Sequence, residues 1–172
     1  MINAQDGYLI RRATPRDADL VVQGINTICA EGGAFYTTQF VPTPQWNAVL
    51  HYPDILPDHL LLVAEWDGSF VGASRLFPGA ENTLSRHAAQ LGMFVLPPYR
   101  CKGIGRSLLK YMISWATDIK LEKVFLSVFS TNQPAIRLYQ KFGFVEEGRQ
   151  LSQIKLADGQ YVDLLLMAYF VN

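Results

Sequence analysis

The stretch VLPPYRCKGIGR at residues 95–106 decides how the rest of this chain is interpreted. It ends a strand-like run at about 88–95, which stops at two prolines. Apolar residues then recur at helical spacing, at Ile104, Leu108, Met112, Trp115 and Ile119. The order strand, glycine-containing loop, helix predicts a helix start whose unbonded N–H groups converge on one point.

A helix start of this kind suits an anion. The main-chain N–H groups of the first turn lack intrahelical acceptors, and the helix dipole favours negative charge. Gly103 and Gly105 let the backbone approach a ligand, while Arg100, Lys102 and Arg106 add positive charge. We expect a phosphate site here, with a pyrophosphate as its natural ligand.

Two common nucleotide motifs fit this loop poorly. Residues 103–108 lack the third glycine of the dinucleotide fingerprint, and no Gly-Lys-Ser/Thr of a P-loop follows. Taken alone, the loop is also typical of an ordinary glycine-containing turn. Cys101 lies between two basic residues, yet no histidine is near in sequence, so we expect no catalytic thiol.

A second motif, STNQPAIRLYQKFGF, occupies residues 130–144. It combines a strand end, a polar helix start and an aromatic residue two turns later. Asn132 can cap the helix. Tyr139 shares a helical face with Ala135 and Ile136, which is typical of a core aromatic residue with its hydroxyl at the rim.

The two motifs together resemble those of the GNAT acetyltransferases. That family carries Arg or Gln, two residues, Gly, one residue, then Gly or Ala, directly after a strand, and Arg100, Gly103 and Gly105 match this pattern. The resemblance runs from about Tyr8 to Val171. Residues 143–148 and 159–167 are similar to the branch with ribosomal-protein N-terminal and small-amine acetyltransferases.

The resemblance implies a fold and an activity. The fold is α/β, with a mixed, mostly antiparallel sheet flanked by helices and splayed central parallel strands. The activity is transfer of an acetyl group from acetyl-CoA to a primary amine of a small molecule or a peptide N-terminus, by direct attack. The acceptor stays open among peptide, amino acid, polyamine and antibiotic. A non-catalytic coenzyme-A-binding module is the alternative, and a phosphate-binding regulator a remoter one.

The resemblance also implies a site. Main-chain N–H groups of the loop bind the pyrophosphate, and the strand up to Val95 pairs with the pantetheine, with Gly92 marking a bulge. An N–H near Phe94 or Val95 binds the oxyanion, and Tyr139 is the general acid for the leaving thiolate. No metal is implied. The cofactor-binding residues are Met93, Phe94, Val95, Arg100, Cys101, Lys102, Gly103, Ile104, Gly105, Arg106, Asn132 and Tyr139.

The general base is the point at which the sequence departs from the family. Many relatives have a glutamate near the start of the strand before the loop, where this chain has Gln90. An amide cannot take a proton from the ammonium group of the acceptor. His87 is the nearest titratable substitute, Glu31, Glu65 and Glu81 are further candidates, and a water chain would need no dedicated side chain.

The remaining sequence predicts the order strand, helix, three strands, helix, strand, helix, two strands. Thr14 caps the first helix with Asp17 three positions later, and Asp67-Gly68 joins two strands in a hairpin. Residues 34–58 are rich in aromatic residues and proline. This segment is either a surface loop or a wall of the substrate pocket.

Composition limits the function classes. The 172 residues suit one domain, 1–172, and 15 basic residues balance 15 acidic ones, so we expect neither nucleic acid nor membrane as a partner. Cys29 and Cys101 lie in different contexts and predict neither a disulfide nor a zinc site. Without a leader or a long apolar run, we expect a soluble cytoplasmic protein. Apolar surface on residues 34–58 and the last strand favours a homodimer.

Overall fold

The computed structural model describes residues 2–3, 7–35, 37–52 and 56–171. Within these ranges helices flank one mixed sheet, as the sequence predicted, and there are four α-helices where the predicted order had three. The helices are α1 (Ala18–Glu31), α2 (Pro44–His51), α3 (Ile104–Asp118) and α4 (Gln133–Lys141). The strands are β1 (Ile2–Asn3), β2 (Tyr8–Arg12), β3 (Leu60–Trp66), β4 (Ser69–Pro78), β5 (Ala88–Val95), β6 (Lys123–Phe129), β7 (Val145–Lys155) and β8 (Tyr161–Phe170).

The structure adds two elements to the predicted order. One is the two-residue strand β1, and the other is α2, in the segment rich in aromatic residues and proline. Thr43 and Pro44 explain α2, because the Thr43 hydroxyl accepts from the N–H of Trp46 and proline suits the first helical turn. Tyr36 and Pro53, which the sequence placed in the same segment, lie outside the described residues.

The sheet has the order β1-β2-β3-β4-β5-β6-β8-β7. Every neighbouring pair is antiparallel except β5 and β6, which run parallel. Their pairing covers only three positions, from Ala88 opposite Lys123 to Gln90 opposite Phe125. Both strands continue beyond that point, so the sheet opens into a split between them, and the expected splayed parallel strands are confirmed.

The expected bulge at Gly92 was wrong. β5 pairs with β4 in unbroken register from Ala89 to Val95, with Gly92 opposite Arg75. The split therefore arises because β6 leaves β5, while β5 stays on β4. Gly92 has another role, since a Cβ atom there would lie 3.1 Å from Arg75 Nε. Glycine makes room for the arginine side chain.

The helices cover the two faces of the sheet, each over its own apolar core. Residues of α3 and α4 share one cluster with Leu76 of β4, whereas α1 and α2 share another with Phe77. Successive strand residues point to opposite faces. We call these the α3 face and the α1 face. No helix in the described ranges is long and apolar enough to cross a membrane.

The first helix begins at a network of charges. The Thr14 N–H donates to Asp17 Oδ2 at 2.7 Å, as the predicted cap requires. Arg11 binds both oxygens of Asp17 at 2.7 and 2.8 Å and also donates to Glu65. The hydrogen bonds from Arg11 lower the pKa of Asp17 from 3.8 to about 2. The buried carboxylate thus fixes β2, β3 and the helix start together.

Candidate active site

The loop after β5 holds a row of unsatisfied main-chain donors. Within the part of the chain that the structure describes, the N–H groups from Cys101 to Arg106 make no intramolecular hydrogen bond. The first N–H of α3 that does so belongs to Ser107, which donates to the Gly103 carbonyl at 3.1 Å. Cys101 and Gly103 have positive φ angles, of 60° and 85°. These two left-handed residues turn the backbone so that the free N–H groups lie in a row just after the end of β5.

Arg100 fixes this loop to its surroundings. Its Nε donates to the Val95 carbonyl at 2.9 Å and its Nη2 to Glu31 Oε2 at 2.6 Å. Its own N–H bonds the Pro97 carbonyl at 3.3 Å. The sequence identified Arg100 as a residue of the phosphate loop but gave no signal of the contact with α1. The side chain positions the loop, and Glu31 balances its charge.

The other basic residues of the loop are exposed as well. Lys102 Nζ lies 4.8 Å from the centre of the Trp66 ring and 5.8 Å from that of Tyr99, both cation–π distances. Arg106 is exposed on the first turn of α3. The Tyr8 hydroxyl, which sequence reasoning missed, is 2.8 Å from Ser107 Oγ and attaches β2 to this helix start. A tyrosine at a strand start carries no local signal of that contact.

Gly105 brings three elements together. A Cβ atom at this position would lie 3.3 Å from Met93 Cε of β5 and 3.6 Å from Leu138 Cδ2 of α4. The strand, the phosphate loop and the helix that carries Tyr139 therefore meet on the α3 face. Ile104, next to Gly105, is buried in the same core and holds the helix start down.

Main-chain groups of β5 alternate between β4 and the split. The Leu96 N–H bonds the Val71 carbonyl of β4 at 2.8 Å, whereas the His87 carbonyl accepts from Lys123 of β6 at 3.2 Å. Because alternate residues of a strand share a side, Met93 and Val95 direct their N–H groups towards the split, and Phe94 directs its own towards β4. The Phe94 side chain packs on the α1 face against Gly24.

The second motif forms α4 beside the end of β6. Asn132 caps the helix, its Oδ1 accepting from the Ala135 N–H at 3.3 Å. Tyr139 is 8% exposed and packs against Phe144, with ring centres 5.6 Å apart. Burial raises the pKa of the Tyr139 phenol above its ordinary value of about 10. This residue is both a core aromatic and a protonated phenol at neutral pH.

The candidate bases lie in different places. Gln90 accepts from Arg75 Nη2 at 3.0 Å. His87 is exposed, and its Nδ1 is 3.0 Å from the Leu84 carbonyl. Glu31 and Glu65 are held by Arg100 and Arg11, respectively. The remaining candidate, Glu81, is exposed. None of these carboxylates lies at the position of Gln90, where many relatives have a glutamate.

A cleft of about 220 Å³ opens where β5 and β6 separate. Gln90 and Phe125, the last paired residues of the two strands, both line it. Arg75 reaches it from β4, over Gly92. Sequence reasoning missed Arg75, although a lone charge within the apolar run of β4 was a local signal. The described lining residues are Gln45, Arg75, Phe77, Pro78, Gly79, Ser85, Ala88, Gln90 and Phe125.

A polar chain stands behind this cleft. Asp58 Oδ1 is 3.0 Å from His59 Nδ1, and His59 Nε2 is 3.1 Å from the Gln45 amide nitrogen. The His59 ring packs on Phe77, 5.0 Å between centres. Arg86 pairs with Asp58 at 3.1 Å. The chain orients Gln45 at the mouth of the cleft, so at least α2 of the segment 34–58 is a wall of the cleft.

The comparisons with known proteins agree with this geometry. The family model "Acetyltransferase (GNAT) family" matches residues 27–144. The L-amino acid N-acetyltransferase AaaT of Escherichia coli (strain K12) is 30% identical over 161 residues, 93% of this chain and 96% of that protein. A ribosomal-protein-alanine N-acetyltransferase structure from Brucella melitensis is 27% identical, with a TM-score of 0.82, covering 94% of this chain and 99% of that one.

A further structure, from Salmonella typhimurium, was solved with its cofactor acetyl-CoA. It is 22% identical, with a TM-score of 0.84 over 96% of this chain and 94% of that one, which shows a common fold. This chain belongs to the GNAT acetyltransferase family. It is an acetyl-CoA-dependent N-acetyltransferase, and the resemblance found in its sequence is confirmed.

Proposed function

We propose that the split between β5 and β6 is the active site, and that it transfers the acetyl group of acetyl-CoA to a primary amine. One observation carries this proposal. A row of unsatisfied N–H groups, Cys101 to Arg106, stands at the end of a strand whose neighbour has separated from it. Such a row fits a pyrophosphate, and the split accepts the extended chain attached to it.

The cofactor residues follow from this placement. The pyrophosphate lies on the N–H groups of Cys101, Lys102, Gly103, Ile104, Gly105 and Arg106, with the charges of Arg100, Lys102 and Arg106 around it. The pantetheine amides pair with β5 at Met93 and Val95, while Phe94 supports that strand from the α1 face. Asn132, whose Oδ1 is occupied by the cap, offers its amide nitrogen to the same chain.

The reaction is direct attack. The lone pair of a neutral amine forms a bond to the thioester carbonyl carbon, giving a tetrahedral oxyanion to which the Val95 N–H donates. The C–S bond then breaks with both electrons on sulfur, the amide forms, and the thiolate takes the Tyr139 phenol proton. The amine proton leaves through water, because Gln90 cannot take it. Solvent later returns a proton to Tyr139.

The state of Tyr139 suits this role. Its burial favours the neutral phenol, which remains protonated at neutral pH and has a proton to give. The phenol donates a hydrogen bond to the sulfur as negative charge develops on it, and the same burial that keeps the phenol protonated makes complete loss of its proton harder. The residue therefore works as an acid without a charged partner of its own.

The acceptor is a primary amine of a small molecule or a peptide N-terminus. Two of the relatives, an L-amino acid acetyltransferase and a ribosomal-protein-alanine acetyltransferase by name, support this range. The alternative is a non-catalytic module that binds coenzyme A.

Turnover of acetyl-CoA against a panel of amines, with free thiol as the signal, tests the proposal. We expect amine-dependent thiol release above the background hydrolysis. Binding of coenzyme A without turnover of any amine would favour the non-catalytic module.

We further propose a homodimer in the cytoplasm and one domain over residues 1–172. Exposed apolar side chains on β7 and β8 support the dimer, among them Leu151 and Tyr161, which are 75% and 62% exposed. Both cysteines are free, as suits a reducing compartment. A single sheet runs through the described ranges and supports one domain. Light scattering tests the dimer, and a monomer at high micromolar concentration would exclude it.

A further inference from the structure

We propose that the side-chain carbonyl of Gln45 accepts a hydrogen bond from the amino group of the acceptor, and that Asp58 and His59 are positioning residues that fix the Gln45 amide for this contact. The inference rests on the proposed function, because it takes the cleft where β5 and β6 separate as the place of the acceptor. It gives a role to a histidine with a largely buried side chain that the reaction above does not use.

The contact between Asp58 and His59 determines which ring nitrogen carries the hydrogen. Asp58 Oδ1 is 3.0 Å from His59 Nδ1. Burial alone would raise the pKa of Asp58, but the His59 contact and the Arg86 charge lower that pKa overall, so the side chain is a carboxylate at neutral pH. A carboxylate only accepts hydrogen bonds. His59 therefore donates from Nδ1, and in the neutral ring Nε2 carries a lone pair.

This lone pair fixes the amide of Gln45. The Gln45 amide nitrogen lies 3.1 Å from His59 Nε2. An amide nitrogen only donates, so it pairs with the lone pair and leaves the carbonyl oxygen at the other end of the amide. The ring is itself held on Phe77, with 5.0 Å between the ring centres, and its side chain is 8% exposed. The amide of an exposed residue is thus held in one of its two orientations.

The Gln45 carbonyl is the side-chain carbonyl of the cleft that stays without a donor. Gln45 lines the cleft, and its Oε1 accepts no hydrogen bond from the residues that the structure describes. Gln90 already uses its own carbonyl oxygen, which accepts from Arg75 Nη2 at 3.0 Å. The Ser85 hydroxyl is 3.1 Å from Thr83 Oγ1. An N–H group of a molecule in the cleft therefore finds its acceptor at Gln45.

A neutral carbonyl suits a nucleophile that must lose a proton before it attacks. An amide oxygen accepts an N–H from an ammonium group and from a neutral amine alike. A carboxylate at the same place would stabilise the ammonium form, because an opposite charge nearby favours the charged state. Gln45 holds the amino group while its proton passes to water. One N–H then points to the cleft wall, and the lone pair stays available to the thioester carbon.

Steady-state kinetics test the contact, with the best amine of the panel as acceptor and free thiol as the signal. Gln45→Ala should raise the KM for that amine by about 5- to 30-fold, the effect of one lost hydrogen bond, and keep the KM for acetyl-CoA within about twofold. Neither KM changes if part of the preparation is misfolded, because inactive protein lowers only the apparent kcat.

Two variants of His59 separate its hydrogen bonds. In His59→Asn the amide nitrogen replaces Nδ1 and can still donate to Asp58, but no acceptor faces Gln45. In His59→Gln the amide oxygen replaces Nε2 and can accept from Gln45. The acceptor KM should therefore rise several fold in His59→Asn and return close to the wild-type value in His59→Gln. Combining His59→Asn with Gln45→Ala should raise this KM no further than Gln45→Ala alone, because His59 acts through Gln45.

The matched control is Gln23→Ala, which removes an exposed glutamine of α1 and should keep both KM values. An unchanged acceptor KM in Gln45→Ala, or equal losses in the two His59 variants, would overturn the inference while the proposed function stands. A parallel rise in the KM for acetyl-CoA would do the same, since it would give these residues a purely structural role. If no amine is acetylated although acetyl-CoA binds, the proposed function fails, and the role of Gln45 with it.

Discussion

Glu31, the last residue of α1, and Arg100, the first basic residue of the phosphate loop, form an ion pair of 2.6 Å across 69 positions of sequence. The same guanidinium bonds the Val95 carbonyl, so one side chain connects a helix end, a strand end and the loop. The position of the loop is therefore determined partly by a helix on the α1 face of the sheet.

Glu31→Ala should raise the KM for acetyl-CoA by a few fold and leave kcat nearly unchanged. The pair is partly exposed, so its contribution is small, on the order of 0.2–1 kcal/mol. Steady-state kinetics at saturating acceptor separate the two constants. Asp118→Ala removes an exposed carboxylate at the far end of α3 and serves as the control. A kcat loss of about 100-fold or more would instead indicate that Glu31 is the general base.

Gly103→Val should abolish the rise in melting temperature that coenzyme A and acetyl-CoA cause. A β-branched residue disfavours the φ of 85° and carries a side chain to the place where the pyrophosphate approaches. The matched control is Gly159→Val, at a φ of 88° with no atom within 4 Å, which has similar strain and no ligand. The wild type should respond to both coenzymes and not to NAD or ATP at equal concentration. Equal shifts with ATP would contradict the assignment.

Tyr139→Phe should lower kcat while the affinity for acetyl-CoA stays within a few fold. The substitution removes one hydroxyl and keeps the ring that packs on Phe144. A positioned acid contributes about 10² to 10⁴ in general, and we expect the low end or somewhat less, because a thiolate leaves easily. Measurement requires an acceptor for which chemistry limits the rate, with exposed Tyr161→Phe as control. Normal turnover by Tyr139→Phe would show that Tyr139 only packs in the core. A large loss of acetyl-CoA affinity would show that Tyr139 positions the cofactor.

Asp17→Asn should lower the free energy of unfolding by about 2 kcal/mol at neutral pH. The folded-state pKa of Asp17 is depressed from 3.8 to about 2, so its contribution is fully present above the unfolded value. It is lost as the pH falls from about 4 to about 2. Urea unfolding between about pH 6 and 3 should therefore show a shallower loss of stability in the variant than in the wild type. Parallel curves for the two proteins would contradict this assignment.

Sequence reasoning succeeded where the determinant is local. The loop at 95–106, the cap at Thr14 and the hairpin at Asp67-Gly68 each depend on residues a few positions apart, and the structure has all three. The split followed from the resemblance, whereas its cause at Gly92 was misjudged. A glycine that relieves crowding with Arg75 cannot be told from one that marks a bulge without the cross-strand register.

The cleft was harder to predict for the same reason. Arg75, Gln90 and Gln45 come from three elements, and their meeting depends on how α2 packs on the sheet. His59 shows the same limit, since its contacts with Asp58 and Gln45 gave no pattern in sequence. The lone charge of Arg75 in the apolar run of β4 was a local signal, but nothing in the sequence indicated which residues of the other two elements it would meet.

The short pairing between β5 and β6 means that the ligand-free sheet has two strand edges inside the molecule. If the pantetheine pairs with β5 as proposed, its amides make the main-chain hydrogen bonds that β6 does not make with β5. These hydrogen bonds exist only while the cofactor is bound. At a free cofactor concentration of about 100 times its Kd, the added stability is about 2.7 kcal/mol. Amide hydrogen exchange along Met93 and Val95 should slow on binding. The lifetime of the protein against proteolysis would then depend on the supply of its own cofactor, so that a shortage removes the enzyme as well as its substrate.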